Sequence, residues 1–318
     1  MNPMQLDAIS KSYKSHNIPV VEFPLALSSF RNGLWMFGIP SWLFGIVDRS
    51  IAAFADGYVS SVELVHLFTA SFFFIGWIYL KPEESSNLGG IGAIKSYLME
   101  ARKYIDESSL RRTTARMLEL QEQHAIHQEY ILPFHYICQI YHLLNLKHLE
   151  SIHSFSLNNL KVIGVSQIQP TQSGGMVRFQ TILDSPTNVL RIWRQPIVEV
   201  GLILHTPYTV ELNIPVYDNK YIIVLFNVVP LNRNEHQLII DIYSNLNWPR
   251  PILQVLLHFA SCLTLFEDLP YLQKIAHKKI HHLVNLSGIS ERDTMWLYRR
   301  FVKLHGARQV RSLGEGKS

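Results

Sequence analysis

Two histidines, His148 and His153, stand five residues apart in the segment Tyr130 to Leu160, YILPFHYICQIYHLLNLKHLESIHSFSLNNL, and Asn145 stands three before the first. Imidazole is a common ligand of transition-metal ions, so two in one short segment supply part of a metal site. Positions i and i+5 do not share one face of a regular helix, so the two meet only if the helix breaks between them. Glu150 lies between them and offers a competing carboxylate. The chain carries 15 histidines, so the bare spacing is common by chance and needs a context. His124 and His127 fall within residues 95 to 128, which read as one or two polar amphipathic helices, and there they would share a solvated face with no clear third ligand. His258, His277, His281 and His282 are expected on solvated or interfacial helix surface. Cys138 and Cys262 are the two cysteines, both in apolar surroundings and without a C-x-x-C, and read as reduced buried thiols.

The elements that position these residues follow from a change of texture near residue 155. Alternating runs appear in LKVIGVSQIQ, MVRFQTILD, IVEVGLILHT, YTVELNIPV, YIIVLFNVVPL and HQLIIDIYSNL, separated by turn signals at residues 173 to 175, Asp218-Asn219 and residues 232 to 234. Consecutive strands without intervening helices predict one antiparallel sheet of five or six strands. Pro251 then opens a long apolar helix to about residue 284, with a break expected at Pro270. A shorter helix over residues 291 to 306 ends the ordered part, and the polar residues 307 to 318 read as a flexible tail. The fold class is α+β: a helix-grip (START-like) antiparallel sheet wrapped on a long C-terminal helix, enclosing an apolar cavity of the kind that holds hydrophobic ligands.

An apolar helical hairpin precedes that unit. The chain has 318 residues, 47% hydrophobic and only 17% charged, which is apolar enough to raise a membrane reading. The uncharged runs NGLWMFGIPSWLFGIV (32 to 47) and LVHLFTASFFFIGWIYL (64 to 80) are near the lower length limit for crossing a bilayer. They read as two short spans (about 24–48 and 62–80) joined by a loop over 48 to 63, as an in-plane or re-entrant hairpin, or as a buried hairpin of a soluble protein. In the spanning case Lys11, Lys14 and Arg31 on one side, and Lys81, Lys95 and Arg102 on the other, place both ends and the catalytic-like domain on the cytoplasmic side. No secretory signal pattern is present. Residues 82 to 94 read as a linker, giving an N-terminal segment 1–89 and a main unit 90–306. A net charge of +4 does not suggest a nucleic-acid partner.

With that layout, residues 130 to 284 resemble the catalytic domain of Rieske non-haem iron ring-hydroxylating oxygenases. The family's iron motif is N/E-x-x-D-x-x-H-x-x-x-x-H, with a carboxylate supplied later from the long C-terminal helix; here the segment reads His142-Leu-Leu-Asn145-Leu-Lys-His148-Leu-Glu-Ser-Ile-His153, followed much later by LFEDLPYLQK. The resemblance implies that His148, His153 and Asp268 hold Fe(II), with Asn145 or Tyr208 bonding behind the ligands. TPYTVEL (206 to 212) and residues 221 to 240 resemble the family's paired strands. Two departures stand out. The C-x-H and C-x-x-H pairs of a 2Fe-2S cluster are missing, and the family's bridging aspartate is Asn145. Losing both removes the internal electron route, so an active enzyme would need a separate electron-transfer protein. The expected function is a membrane-associated, mononuclear iron oxygenase-like protein acting on a hydrophobic ring or lipid-like substrate. The alternatives are a non-catalytic START-like carrier of a hydrophobic ligand or pigment, or an assembly factor at the membrane, and a structural subunit of a membrane complex docked by the hairpin.

Overall fold

The computed structural model describes residues 25–55, 57–79, 90–153, 160–183, 195–277 and 280–314. Readings that fall on Lys11, Lys14, Lys81, most of the 82 to 94 linker and the last four residues lie outside the described residues.

Two helices open the described chain, α1 (Leu25–Phe54) and α2 (Ser61–Tyr79). Helix α1 continues past Asp48, so the connection is shorter than the expected 48 to 63 loop. Glu63 accepts from the backbone N–H of Ser60, at 2.8 Å, and from its hydroxyl, which caps the start of α2. At Gly38 a Cβ would come within 2.6 Å of the Trp77 ring, so glycine there lets the two helices approach closely. Among the described residues one helix is long and apolar enough to cross a membrane, Arg250–Ala276, and Ser61–Trp77 is apolar but shorter.

Helices α3 (Gly90–Ala101) and α4 (Glu107–Leu120) follow, with Asp106 capping α4 by accepting from the Ser109 N–H at 3.1 Å. Next come β1 (His124–Leu132), α5 (Tyr136–Leu144) and the single turn α6 (His148–Ser151). The strands β2 (Leu160–Pro170), β3 (Gly175–Leu183), β4 (Ile197–Thr206), β5 (Thr209–Pro215), β6 (Tyr221–Pro230) and β7 (His236–Ser244) complete a seven-stranded antiparallel sheet in the order β1-β7-β6-β5-β4-β3-β2. The chain ends in α7 (Arg250–Ala276), a short α8 (Ile280–Leu283) and α9 (Trp296–Gly314).

The architecture is α+β, an antiparallel sheet against a long helix, compatible with a helix-grip arrangement. Further expectations change, among them the end of α7, which lies at Ala276 and not near residue 284. Residues 124 to 132 form strand β1, not the end of a helix, because they pair with β7 along their length, and β7 is buried on both faces. This pairing adds β1 at the edge of the β2–β7 meander and outweighs the polar composition of the segment. Helix α7 runs through Pro270 without stopping; the carbonyl that loses its partner belongs to Phe266, a residue 62% exposed, so water can take the bond. Helix α9 extends past Gly306 to Gly314, into the stretch expected to fray.

The sheet separates two layers. Val200, Leu202, Ile240 and Ile242 point to the face covered by α5, α7 and α9. Their neighbours Leu225, Ile239 and Tyr243 point to the other face, under Ala93, Tyr97 and Met117 of α3 and α4. A strand apolar on both sides, such as LIIDIY in β7, is what a covered sheet requires. The outer layer is also pinned electrostatically: Arg116 of α4 makes two 2.8 Å bonds to the fully buried Glu211 carboxylate, which also accepts from His205 at 2.7 Å. These partners hold Glu211 at about 2 against the cost of its burial.

Candidate metal centre

Strand β1 ends at Leu132, and His135 caps α5 by accepting from the Ile137 N–H at 3.2 Å. Helix α5 stops at Asn145, whose backbone carbonyl accepts from the His148 N–H at 3.0 Å and from His148 Nδ1 at 2.6 Å. The turn α6 ends at Ser151, and His153 lies beyond it. The helix is therefore broken between the two histidines, which the i, i+5 spacing requires if they are to meet.

They do meet, and a third histidine joins them. Ligand nitrogens of His142, His148 and His153 all lie within 4.8 Å of one another, and all three residues are buried. Ring centroids are 4.1 Å apart for His142 and His148, and 5.3 Å for His148 and His153. Asp268 of α7 enters from the opposite side, its Oδ1 3.0 Å from His142 Nε2 and 3.2 Å from His153 Nε2. Neither approach has hydrogen-bond geometry: Asp268 Oδ1 and both His142 nitrogens are buried with no hydrogen-bond partner. Unpaired buried acceptors and donors are costly unless something else satisfies them.

The tautomers follow from the outer contacts. His148 Nδ1 donates to the Asn145 carbonyl, and His153 Nδ1 donates to Glu267 Oε2 at 3.3 Å. In each ring the Nε2 lone pair is left for the site. Burial pushes His142 down to about 3, and the same cause, helped by the neighbouring rings, holds His148 well below the ordinary imidazole value. Both are neutral and ligand-competent at physiological pH. Burial also pushes Asp268 up to about 7, opposed by His153 and reinforced by Glu267. A divalent cation would supply the missing partner for this carboxylate. Imidazoles plus a carboxylate fit a borderline ion such as Fe(II) or Zn(II).

Asn145 is buried, and its role is to hold the turn: Oδ1 accepts from the Lys147 N–H at 3.3 Å, and Nδ2 donates to the Tyr271 hydroxyl at 3.4 Å. Tyr208 does not reach this place; it packs on Tyr136 in the turn between β4 and β5. Glu150 faces away and accepts from the Val162 N–H at 2.7 Å, so it is not a competing ligand here. His258, expected on solvated surface, is 2% exposed and its Nδ1 accepts from Gln128 at 2.9 Å, because α7 turns this position toward β1. Sequence reasoning left His142, Glu267 and Tyr271 out of the site. His142 occupies the first position of the motif, Glu267 is adjacent to Asp268, and Tyr271 stands one helical turn after it; those were the available signals.

The cluster forms one end of a cavity of about 220 Å³. The sheet contributes Phe179, Leu202, Leu212, Phe226 and Ile240, and α7 contributes Leu257, Ser261 and Leu265. Among the described residues Asp268 is the sole carboxylate in the lining and no lysine or arginine faces the space. The site therefore places three buried histidines and one carboxylate in the wall of an apolar chamber.

No protein-family model and no curated protein matches the chain. Its path is similar to solved structures of dicamba monooxygenase bound to dicamba (11% identity, TM-score 0.47, 59% of each chain). It is also similar to a quaternary ammonium Rieske monooxygenase linked to carnitine oxidation by gut microbiota (12% identity, TM-score 0.45, 64% of this chain and 56% of that one). A third is NdmB of Pseudomonas putida CBB5 (13% identity, TM-score 0.40, 59% of this chain and 52% of that one). The chain spans under two thirds of the length of each. Such partial overlap leaves the chemistry to be read from the residues themselves.

Proposed function

We propose that this chain is a mononuclear non-haem iron oxygenase-like protein that acts on a small hydrophobic ring or lipid-like substrate. The observation that carries the reading is the cluster of His142, His148 and His153 lining an apolar cavity, with Asp268 Oδ1 against His142 and His153 and lacking a hydrogen-bond partner. His148, His153 and Asp268 would hold Fe(II), and His142 stands against the same carboxylate oxygen as a further ligand or as its proton-bearing neighbour. Ferrous iron held there supplies dioxygen activation. The chain's own residues do the rest. The Asn145 carbonyl and Glu267 fix the two ligand tautomers, Tyr271 steadies Asn145, and the sheet side chains exclude water and select an apolar substrate. No 2Fe-2S ligand set exists in the sequence, so electrons would come from a separate electron-transfer protein.

The same reading places residues 90–306 as the catalytic-like unit and residues 1–89 as a membrane-facing segment. Its support is the apolar surface of the hairpin: Phe44 is 76% exposed, Ile51 67% and Phe68 72%. Contiguous apolar surface of this kind is unusual on a protein facing only water. An apolar substrate dissolved in a bilayer would then need no passage through water. The test is metal analysis of tag-free protein loaded anaerobically with Fe(II). About one iron per chain at this site, lost in His148→Ala, is expected for such a ligand set. Folded protein that takes up an apolar ligand but no iron would establish the carrier function instead.

A further inference from the structure

A second histidine–carboxylate cluster lies on the opposite face of the sheet, where His124 and His127 meet a third ligand that the local sequence does not reveal. In β1 the register slips between His124 and Ile126, so Ala125 is a bulge residue. The bulge turns His124 and His127, which would face opposite ways in a regular strand, onto one side. There they meet Asp241 of β7, the register partner of His127. His124 Nε2 and His127 Nδ1 approach the same oxygen, Asp241 Oδ1, at 3.1 and 2.7 Å. The ligand atoms of the three residues all lie within 4.8 Å of one another. Asp241 is 0% exposed and its second oxygen, Oδ2, has no hydrogen-bond partner.

The far side of His127 is arranged as metal-binding imidazoles are. Its Nε2 donates to Glu129 Oε1 at 2.7 Å, and Glu129 is itself held by the Ser96 hydroxyl and by Gln237 Nε2 at 3.0 Å. A carboxylate behind a ligating imidazole orients the ring and strengthens it as a donor. Ligand atoms of a tetrahedral zinc site stand about 3.3 Å apart, given metal bonds near 2 Å, and the observed spacings are close to that.

We propose that His124, His127 and Asp241 form a second divalent-metal site, of zinc type, beneath helix α3. Two imidazoles and one buried carboxylate suit zinc, with Asp241 Oδ2 or a water completing four-coordination. Without metal, a proton on His127 Nδ1 bridges to Asp241; zinc takes that place and the proton leaves to solvent. Through Glu129 and Ser96 the metal would tie α3 to the sheet, a structural role independent of the cavity. This site stands whether or not the cavity-face cluster holds iron.

The experiment uses full-length, tag-free protein carrying His148→Ala and His153→Ala, so that the cavity-face ligands are gone. It is stripped of metal, exposed to zinc sulfate, desalted and analysed for metal, with circular dichroism as a check on folding. The expected result is about one retained zinc per chain, and cobalt(II) in its place should give the strong visible bands of a tetrahedral site. Adding His124→Gln, a milder change than removing the buried Asp241, should lower retained zinc at least about tenfold. Folded protein that retains no zinc overturns the proposal, and so does zinc retention indifferent to His124→Gln.

Discussion

The two faces of one sheet carry nearly the same residue types in opposite electrostatic states. On the cavity face His142 and His148 are buried among apolar side chains, and desolvation drives both toward the neutral form. On the outer face His127 is largely enclosed too, yet it is pulled well above the ordinary value against that desolvation, because its two nitrogens face the carboxylates of Asp241 and Glu129. Burial alone opposes charge in both places, and the number of carboxylates in contact decides the outcome. On the outer face His124, His127, Glu129 and Ser96 form a hydrogen-bonded network that holds α3 to the sheet, with Asp241 Oδ2 left over. On the cavity face Asp268 Oδ1 and the His142 nitrogens are left unpaired at the end of a chamber. The outer-face bonds add stability, whereas the unpaired groups of the cavity face cost it.

That difference can be broken or sharpened by substitution. The largest effect is expected for His148→Ala or His153→Ala, each lowering iron affinity by more than about 100-fold, since loss of a ligand should exceed the loss of a residue behind one; iron retention after desalting is the readout. Next, His127→Leu should destabilise the metal-free protein by about 3–5 kcal/mol, because it strands buried carboxylates, whereas His142→Leu should be near neutral or stabilising. Urea unfolding of the two variants checks this directly, and equal costs would break the comparison. Acid should act mainly through the outer layer. Glu211 is held at about 2 in the folded chain against an ordinary 4.5, so the stability it contributes is complete above that ordinary value and is lost as pH falls toward 2. On the order of 3 kcal/mol is at stake across that window, and Arg116→Met should remove part of the acid dependence, the His205 bond to Glu211 keeping the rest. The smallest effect is expected for Tyr271→Phe, about 1 kcal/mol or roughly fivefold in iron affinity, through the loosened Asn145 turn.

Much of this was legible in the residues. The six strands from Leu160 onward carried alternating or continuous apolar runs between clear turns, and the long helix announced itself by composition. The i, i+5 spacing demanded a helix break, and α6 supplies one. What escaped depended on pairing at a distance. HAIHQEYIL has a polar surface because one side of β1 meets Asp241 and Gln237 across the sheet, a partnership that no local pattern reveals. Without β1, His124 and His127 looked like solvated helix residues, and Asp241 in the apolar run LIIDIY had no visible purpose. His142 is illegible for the same reason: its neighbour Asp268 stands far along the chain, and only closure of α7 over α5 brings the two together.

An iron-edge anomalous difference map of crystals loaded with Fe(II) would test the cavity-face site most directly. A single strong peak about 2 Å from His148 Nε2, His153 Nε2 and an Asp268 oxygen is the predicted result. Crystals that show apolar density in the chamber and no anomalous peak beside Asp268, or a peak at His124 and His127 alone, would contradict it.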